Sequence, residues 1–327
     1  MIIDSHAHAI PPAFIEYLRK KGAEVGIETS ETERGTRVSF GDRVTGPMGA
    51  NLTDLAARVE WMDTAGVDIQ VMAGWIDLTG YEIDAVHAVD YSRAHNDSLA
   101  EHAAEYADRF WTIGSVPLQA PQAAASELEH LMQNGFKGIE IATTVRGAAL
   151  DMAGLDAVWE VAEATGAFIL LHPMTPLTGV DLGRYFMDNS VGRPAETTIT
   201  LAGLIMSGVF ERFPKLKVCA VHGGGFLPFQ IGRLDQSFHK VPKFAATHIS
   251  KPPSEYLRQI YIDTVLNNLD VLRFVVDLVG VDQVVMGTDY PFPMGDLDPV
   301  TTIRSIPDIT ESDADKILGT TLHSLCC

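Results

Sequence analysis

The stretch Ile2-Ile3-Asp4-Ser5-His6-Ala7-His8 is a predicted strand that begins with two isoleucines and ends with the pair His6 and His8. In a β-strand, side chains two residues apart lie on the same face, so His6 and His8 point in one direction. More short apolar runs follow, rich in valine and isoleucine, as is typical of strands covered on both faces. The predicted strands are residues 2–8, 69–74, 111–117, 138–143, 168–172, 217–222, 260–265 and 284–288.

Amphipathic stretches separate these strands, and several begin after a proline or end at a glycine, as helices often do. The predicted helices are residues 54–64, 84–107, 123–134, 155–165, 195–210 and 271–279. This alternation predicts an α/β fold, a (β/α)8 TIM barrel that residues 1–327 form as a single domain. A doubly wound open sheet is the alternative topology, but it requires a glycine-rich turn where His6-Ala7-His8 stands.

Two polar stretches interrupt the alternation, at residues 24–51 after the first strand and 176–193 after the fifth. Both follow the carboxyl end of a predicted strand, which is where barrel enzymes build their active sites. We expect both to be loop insertions that contact a substrate.

The composition limits the partners and the location of the protein. A net charge of −19 repels nucleic acid and anionic lipid, and no apolar run reaches the roughly 18 residues of a membrane helix. The first residues lack the features of a signal peptide, and the three cysteines form no disulfide framework or CxxC metal site. We therefore expect a cytoplasmic protein with a small-molecule partner and neither a nucleic acid nor a membrane partner.

Polar residues also end three later strands. His172, His222 and Asp289 each follow an apolar run, and such residues at the carboxyl ends of barrel strands are typical of catalysis. A pair of hydrogen-bonded structural histidines would explain His6 and His8 alone, but not all five residues. The pattern predicts one divalent metal bound by His6, His8, His172 and Asp289, with an open position for water or substrate. This ligand set favours zinc, with manganese and iron as alternatives.

We leave His222 off the predicted metal and assign it as the general acid and base. Gly223-Gly224-Gly225 follows it and would allow a substrate to approach the backbone closely. Barrel enzymes that bind two metals can place a bridging ligand on the fourth strand, where Glu140 stands, but no lysine lies near the carboxyl end of that strand in this sequence. One metal is the preferred prediction.

The motif Asp4-Ser5-His6-Ala7-His8 resembles the strand-one metal motif of the amidohydrolase superfamily. Within it the chain is similar to the aminocarboxymuconate semialdehyde decarboxylase group of the amidohydrolase-related family. The segments that carry this likeness are Val116-Pro117-Leu118-Gln119, Arg193-Pro194-Ala195-Glu196-Thr197-Thr198, Phe213-Pro214-Lys215-Leu216-Lys217-Val218, His222-Gly223-Gly224-Gly225 and Gly287-Thr288-Asp289-Tyr290-Pro291-Phe292-Pro293.

The resemblance implies the same metal ligands, with His222 and Asp289 managing proton transfer. It further implies that an arginine after the first strand, Arg43 or Arg37, grips the substrate carboxylate and that Phe292 lines the pocket. Arg233 matches an arginine that reaches across a dimer interface, so a homodimer is expected. Residues 185–190 lack a tryptophan that the muconate-semialdehyde enzymes carry there, so the named substrate does not follow.

The preferred function is therefore metal-dependent, non-oxidative decarboxylation of a small aromatic or unsaturated carboxylic acid. A metal-dependent hydrolase of a lactone, amide or ester, or a hydratase, would use the same ligands and is the alternative. A metal-stabilised binding protein on a barrel scaffold is the non-catalytic alternative, and the presence of His222 argues against it.

Overall fold

Eight parallel strands form one continuous sheet in the computed structural model of the chain, which describes residues 1–174 and 179–327. Sequence neighbours pair throughout, so the strand order follows the chain. We label these barrel strands β1 Ile3–Ala9, β2 Ile69–Gly74, β3 Phe110–Gly114, β4 Gly138–Ala142, β5 Phe168–His172, β6 Lys217–Ala220, β7 Tyr261–Asp263 and β8 Val284–Val285.

Hydrogen bonds between β1 and the residues that follow β8 close the sheet into a barrel. Ser5 N donates to the carbonyl oxygen of Met286 at 2.8 Å, and His8 N donates to that of Tyr290 at 2.9 Å. The predicted (β/α)8 barrel is confirmed, as is the existence of all eight strands. Strands β3, β6, β7 and β8 end two or three residues before their predicted ends, so His222 and Asp289 lie in the segments that follow β6 and β8.

Helices surround the barrel and pack on its outer face. The longer ones are Pro12–Lys21, Leu55–Ala65, Ala85–Ala103, Pro121–Gln133, Asp156–Thr165, Arg193–Met206, Leu227–Lys240 and Leu269–Val279. Short ones are Ala50–Thr53, Val209–Arg212, Pro242–Ala245, Pro253–Leu257, Pro299–Arg304, Glu311–Asp315 and Thr321–Cys326. The predicted helix at 195–210 is divided at Gly208, whose φ is 76°.

Two apolar layers hold this arrangement together. A large cluster lies between the strands and the surrounding helices. A smaller one joins Ile3, Ile69 and Phe168 to Leu322 and Leu325 of the last helix, so that helix packs against the amino ends of the barrel strands. The opposite, carboxyl end of the barrel carries the polar residues discussed below. No helix within the described ranges is long and apolar enough to cross a bilayer.

The stretch after β1 is more ordered than the predicted loop insertion. After helix Pro12–Lys21 it forms an antiparallel three-stranded sheet of Ile27–Thr32, Gly35–Phe40 and Arg43–Val44. Alternate residues such as Val38 and Phe40 are buried, while the residues between them are polar. This alternation is the pattern of a half-buried strand, so the insertion predicted after the first strand contains strands that were not predicted within it.

The insertion after β5 lies partly outside the described residues, which omit 175–178. In its described part, Asp188–Gly192 forms one wide helical turn that leads directly into helix Arg193–Met206. The loop therefore returns to the barrel mouth immediately before that helix. A second small antiparallel pair, Thr144–Val145 with Ala148–Ala149, follows β4.

Candidate metal centre

Two histidines at the carboxyl end of β1 form the centre of the candidate site. The His6 and His8 rings are nearly perpendicular, with centroids 5.0 Å apart and Nε2 atoms 3.1 Å apart. Each ring is held through its other nitrogen. Nδ1 of His6 lies 2.7 Å from Asp263 Oδ2, and Nδ1 of His8 lies 3.2 Å from the carbonyl oxygen of Gly74. Both Nε2 atoms therefore face the same small space at the barrel mouth.

Two more side chains reach this space from the ends of other strands. His172 is the last residue of β5, and its ring centroid lies 5.2 Å from that of His6 and 4.9 Å from that of His8. Asp289 follows β8, and its Oδ1 lies 3.5 Å from His6 Nε2 and 3.3 Å from His8 Nε2. The φ of Asp289 is 56°, a strained value that clusters at functional sites. The structure thus brings together all four predicted metal ligands.

The spacing of these atoms fits a small divalent cation. Ligand bonds of about 2.0–2.1 Å in a tetrahedral zinc site place neighbouring donor atoms about 3.3–3.4 Å apart. The distances among His6 Nε2, His8 Nε2 and Asp289 Oδ1 are 3.1, 3.3 and 3.5 Å. Asp289 Oδ1 is buried and has no hydrogen-bond partner among the described residues. A cation between these donors would coordinate that oxygen and offset the cost of burying the carboxylate charge.

The ionisation states of His6, His172 and Asp289 suit a metal, whereas at His8 the lowering of the pKa by burial is outweighed by the carboxylates of Glu140 and Asp289, which raise it. Burial lowers the pKa of His6 and brings that of His172 well below the usual histidine value. Burial opposes ionisation of Asp289, but its contacts with His222, His8 and His6 hold its pKa well below the usual range. Neutral imidazoles and an ionised carboxylate are the forms that bind metal ions.

His222 lies beside the cluster, directly after β6, with a φ of 53°. Its Nε2 is 3.6 Å from Oδ2 of Asp289, the oxygen that does not face His6 and His8. Donor atoms of His6, His172, His222 and Asp289 all lie within 4.8 Å of one another. His222 is the most exposed of these groups, at 17% of its side chain, so a bound substrate can reach it.

The glycines after His222 have a packing role that the sequence did not reveal. A Cβ on Gly223 would lie 2.2 Å from Leu266 Cδ2, and one on Gly225 would lie 2.2 Å from the carbonyl oxygen of Pro194. Both glycines also have a φ of 66°. The backbone contact therefore requires glycine at Gly225, whether or not a substrate approaches there, whereas at Gly223 the positive φ disfavours other residues and the flexible Leu266 side chain could move aside.

Glu140 lies on the far side of His8 from Asp289. Its Oε1 is 3.5 Å from His8 Nδ1, and His8, Glu140 and His172 form a second group of donors within 4.8 Å of one another. Burial raises the pKa of Glu140 to about 8. Because His8 directs Nε2 towards Asp289 and Nδ1 towards Glu140, one metal beside Asp289 leaves Glu140 outside its ligand shell. The one-metal prediction stays a prediction.

Asp263, the last residue of β7, is a site residue that the sequence analysis missed. It is fully buried, and its Oδ2 contacts His6 Nδ1. Its Oδ1 accepts hydrogen bonds from Gly223 N at 2.9 Å and Val265 N at 3.2 Å. One carboxylate therefore orients a candidate metal ligand and anchors the turn that follows His222. Such outer contacts fix the tautomer and the orientation of a ligating histidine.

We expect Asp263→Asn to weaken metal binding by about 10- to 100-fold, the usual cost of losing an outer-shell partner. An amide NH2 facing His6 Nδ1 would favour the tautomer with its proton on Nε2, the nitrogen that must be free to bind metal. If the amide instead turned its oxygen towards His6 Nδ1, its NH2 group would face Gly223 N and Val265 N, which would lose their hydrogen-bond acceptor. Competition with a chelator measures the dissociation constant, and the exposed Asp270→Asn is the matched control. Equal affinities in the two variants would contradict this role.

A pocket of about 610 Å³ opens directly onto the candidate centre. His172, His222 and Asp289 form part of its floor. Its walls are largely apolar, and they include Trp75 and Phe292, whose ring centroids lie 5.9 Å apart. The structure therefore places Phe292 in the pocket wall, as the sequence suggested. This combination of apolar walls and few polar groups is typical of small-molecule sites.

Within a single chain, the two arginines predicted to bind substrate lie away from this pocket. Arg43 is held by the carboxylate of Glu82, with Nε 2.5 Å from Oε1, and its Nη1 donates to the carbonyl oxygen of Asp77 at 2.9 Å. Arg233 is exposed on helix Leu227–Lys240 and lines a separate surface groove. Neither lines the described pocket wall, which instead contains Arg193. The substrate contacts of Arg43 and Arg233 remain predictions.

Comparison with known proteins agrees with this geometry. The family model described as "Amidohydrolase" matches residues 3–321. The chain belongs to the amidohydrolase family. Its relatives in that family include decarboxylases. The chain is 32% identical to the 2-amino-3-carboxymuconate-6-semialdehyde decarboxylase of Dictyostelium discoideum over 97% of this chain and 89% of that protein.

Two solved structures of amidohydrolase-fold decarboxylases resemble the present one. The 5-carboxyvanillate decarboxylase of Sphingomonas paucimobilis superposes with a TM-score of 0.83 at 26% identity, over 99% of this chain and 98% of that one. A dihydroxybenzoic acid decarboxylase of Polaromonas, solved with bound manganese and the inhibitor 2-nitroresorcinol, gives a TM-score of 0.79 at 23% identity, over 99% and 96% of the two chains. The second likeness shows the shared fold alone.

Proposed function

We propose that this protein is a metal-dependent, non-oxidative decarboxylase of a small aromatic or unsaturated carboxylic acid. The observation that carries the proposal is His222, reachable from the pocket, with its Nε2 3.6 Å from a carboxylate oxygen of the candidate metal ligand Asp289. His222 can carry a proton, and it lies beside the candidate metal ligands in a pocket with aromatic walls. This arrangement suits a reaction in which a proton replaces a carboxylate on the substrate. Similarity to decarboxylases acting on muconate-type and aromatic acids supports the same reaction.

The reaction exchanges one group on a substrate carbon. The bond between that carbon and the carboxylate breaks, carbon dioxide leaves, and the electron pair that remains accepts a proton from the protonated His222. The ionised Asp289 stabilises the positive charge of His222 before the transfer. His222 recovers a proton from water, so no redox cofactor is consumed. Trp75 and Phe292 exclude water from a planar substrate and hold it in place.

His6, His8, His172 and Asp289 would hold the metal ion in this proposal. When bound, a divalent ion supplies positive charge that stabilises negative charge developing on the substrate. We propose zinc, since three imidazoles and one carboxylate suit that ion, with manganese, found in a related structure, and iron as alternatives. We also propose a cytoplasmic location, supported by the three cysteines, all of which are unpaired.

The test is a screen of metal-loaded protein against hydroxybenzoates, unsaturated semialdehyde acids and lactones, with carbon dioxide release and hydrolysis scored in parallel. We expect carbon dioxide from at least one acid and no hydrolysis. Hydrolysis without carbon dioxide would overturn the decarboxylase proposal and favour the hydrolase alternative on the same metal site. Loss of carbon dioxide release in His222→Ala would tie the activity to this site.

We further propose a homodimer in which Arg233 serves the pocket of its partner. The exposed position of Arg233 supports this, as does the exposed aromatic pair Phe229 and Phe274 near it, with ring centroids 6.4 Å apart. Sedimentation should give twice the chain mass of 35.5 kDa.

Mixing two inactive variants tests whether Arg233 acts across the interface. When the Arg233→Ala and His222→Ala proteins are refolded together, or exchange subunits, about half of the dimers should contain one subunit of each variant. Each such heterodimer has one complete site out of two, so the mixture should recover about a quarter of wild-type activity. A mixture as inactive as its parents, under conditions in which mixed dimers are detected, would show that Arg233 does not act in the neighbouring pocket.

A further inference from the structure

Arg193 is the one lysine or arginine in the described lining of the pocket. It is the first residue of helix Arg193–Met206 and follows directly on the turn Asp188–Gly192. The same pocket contains His172, His222 and Asp289. A guanidinium therefore stands beside the candidate metal centre and belongs to the same chain.

One backbone carbonyl ties Arg193 to the centre. Arg193 Nη1 donates to the carbonyl oxygen of Pro173 at 2.8 Å, and Nδ1 of the candidate ligand His172 lies 2.8 Å from the same oxygen. This shared contact fixes the guanidinium relative to the histidine. The side chain of Arg193 is 25% exposed, and its nearest described carboxylate is that of Asp77, at 3.9 Å from Nη2. With respect to the described residues, most of its five donors therefore remain available to a ligand.

The chemistry of decarboxylation restricts what Arg193 can usefully hold. A carboxylate that departs as carbon dioxide loses its charge on the way to the transition state. An arginine bound to that group would stabilise the substrate more than the transition state and would slow the reaction. An arginine bound to a group that keeps its charge throughout stabilises the substrate and the transition state equally, so it does not slow the reaction. The position of Arg193 therefore suits a second anionic group that stays on the product.

The charge of the protein strengthens this argument. The chain has a net charge of −19, and Asp77, Asp263 and Asp289 are acidic side chains around the site. A substrate with two carboxylates would be repelled from such a site without a local cation. Arg43, the other arginine in this region, is held by Glu82. Arg193 is thus the described cation of the pocket that can offset the second negative charge.

We propose that Arg193 binds a retained carboxylate of the substrate, so that the enzyme acts on a planar unsaturated or aromatic dicarboxylic acid and releases one of its two carboxylates. This inference rests on the proposed decarboxylase function. The pocket places one carboxylate of such an acid at the metal centre and His222, its flat body against Trp75 and Phe292, and the other carboxylate at Arg193.

The test compares diacids with matched monoacids in the wild type and three variants. A hydroxyisophthalate and the hydroxybenzoate lacking its second carboxylate are one such pair. Arg193→Gln should raise KM for the diacid about 10- to 100-fold, the value of a charge-assisted hydrogen bond, with little change in kcat. Arg193→Lys should recover part of the loss. Arg184→Gln, at an exposed arginine of the same segment, should leave KM unchanged. Metal content and melting temperature establish that each variant is folded.

Binding without turnover separates this proposal from the decarboxylase proposal. Titration calorimetry with an unreactive diacid, isophthalate, should show about 10- to 100-fold weaker binding to Arg193→Gln than to wild type, and benzoate should show no difference. That result would support Arg193 as the anchor even if no acid released carbon dioxide. Equal losses for diacid and monoacid, or no loss for either, would overturn the proposal even in an active decarboxylase.

Discussion

Replacing His222 with glutamine should lower kcat for carbon dioxide release by about 10²- to 10⁴-fold, the usual contribution of a proton-transfer group. Glutamine keeps a polar side chain of similar length beside Asp289 but carries no titratable proton. The substrate carbon then has no donor within reach when carbon dioxide leaves. KM changes little, because His222 acts on the reacting carbon rather than on the groups that bind substrate. Steady-state kinetics of the variant with the best substrate from the screen measures both constants.

Metal content decides whether this loss comes from proton transfer. We expect His222→Gln to bind one metal ion per chain, as the wild type does, whereas loss of metal would show that His222 is itself a ligand. The four-donor group that includes His222 makes this a real alternative. His87→Gln, at an exposed helical histidine, is the matched control and should keep full activity. A fully active His222→Gln enzyme would remove His222 from the mechanism.

The residues of the candidate centre could be predicted because barrel topology converts chain position into spatial position. His172 ends an apolar run in the sequence and ends β5 in the structure. The carboxyl ends of all eight strands meet at one face, so polar residues that end different strands must converge there. This convergence follows from the barrel topology alone and does not depend on side-chain contacts or on the paths of the loops. That is why five residues from four strands could be named together.

Other parts of the site depend on contacts that sequence periodicity does not contain. Asp263 was missed because the predicted strand ran to residue 265, which placed it inside the strand, whereas β7 ends at Asp263. Its position after Ile260-Tyr261-Ile262 was the signal that could have found it. The pairing of Arg43 with Glu82 joins positions 39 residues apart. The choice of Arg193 over other loop arginines depends on the path of the chain after β5, which no local pattern encodes.

Removal of the metal should abolish activity completely and also reduce stability. Without a cation, Asp289 Oδ1 keeps its charge in a buried position with no hydrogen-bond partner in the described chain, and the lone pairs of His6 and His8 face each other at 3.1 Å. Binding to the folded state alone raises the free energy of unfolding by about 2.7 kcal/mol when free metal is a hundred times its dissociation constant. Thermal unfolding with increasing metal should therefore show a rising melting temperature, in step with recovery of activity.

The identity of the ion and of its ligands can be tested in the same preparation. Zinc should restore more activity to the metal-free protein than manganese or iron. A greater effect of manganese would contradict the choice of zinc but not the proposed set of metal ligands. His8→Ala should lose more affinity than the about 10- to 100-fold expected of an outer-shell change, because it removes a donor that lies within 3.3 Å of Asp289 Oδ1. His87→Ala should behave as wild type. Full activity in protein shown by elemental analysis to be free of metal would mean that these four residues form a polar network and not a metal centre. Decarboxylation would then depend on His222 and Asp289 alone.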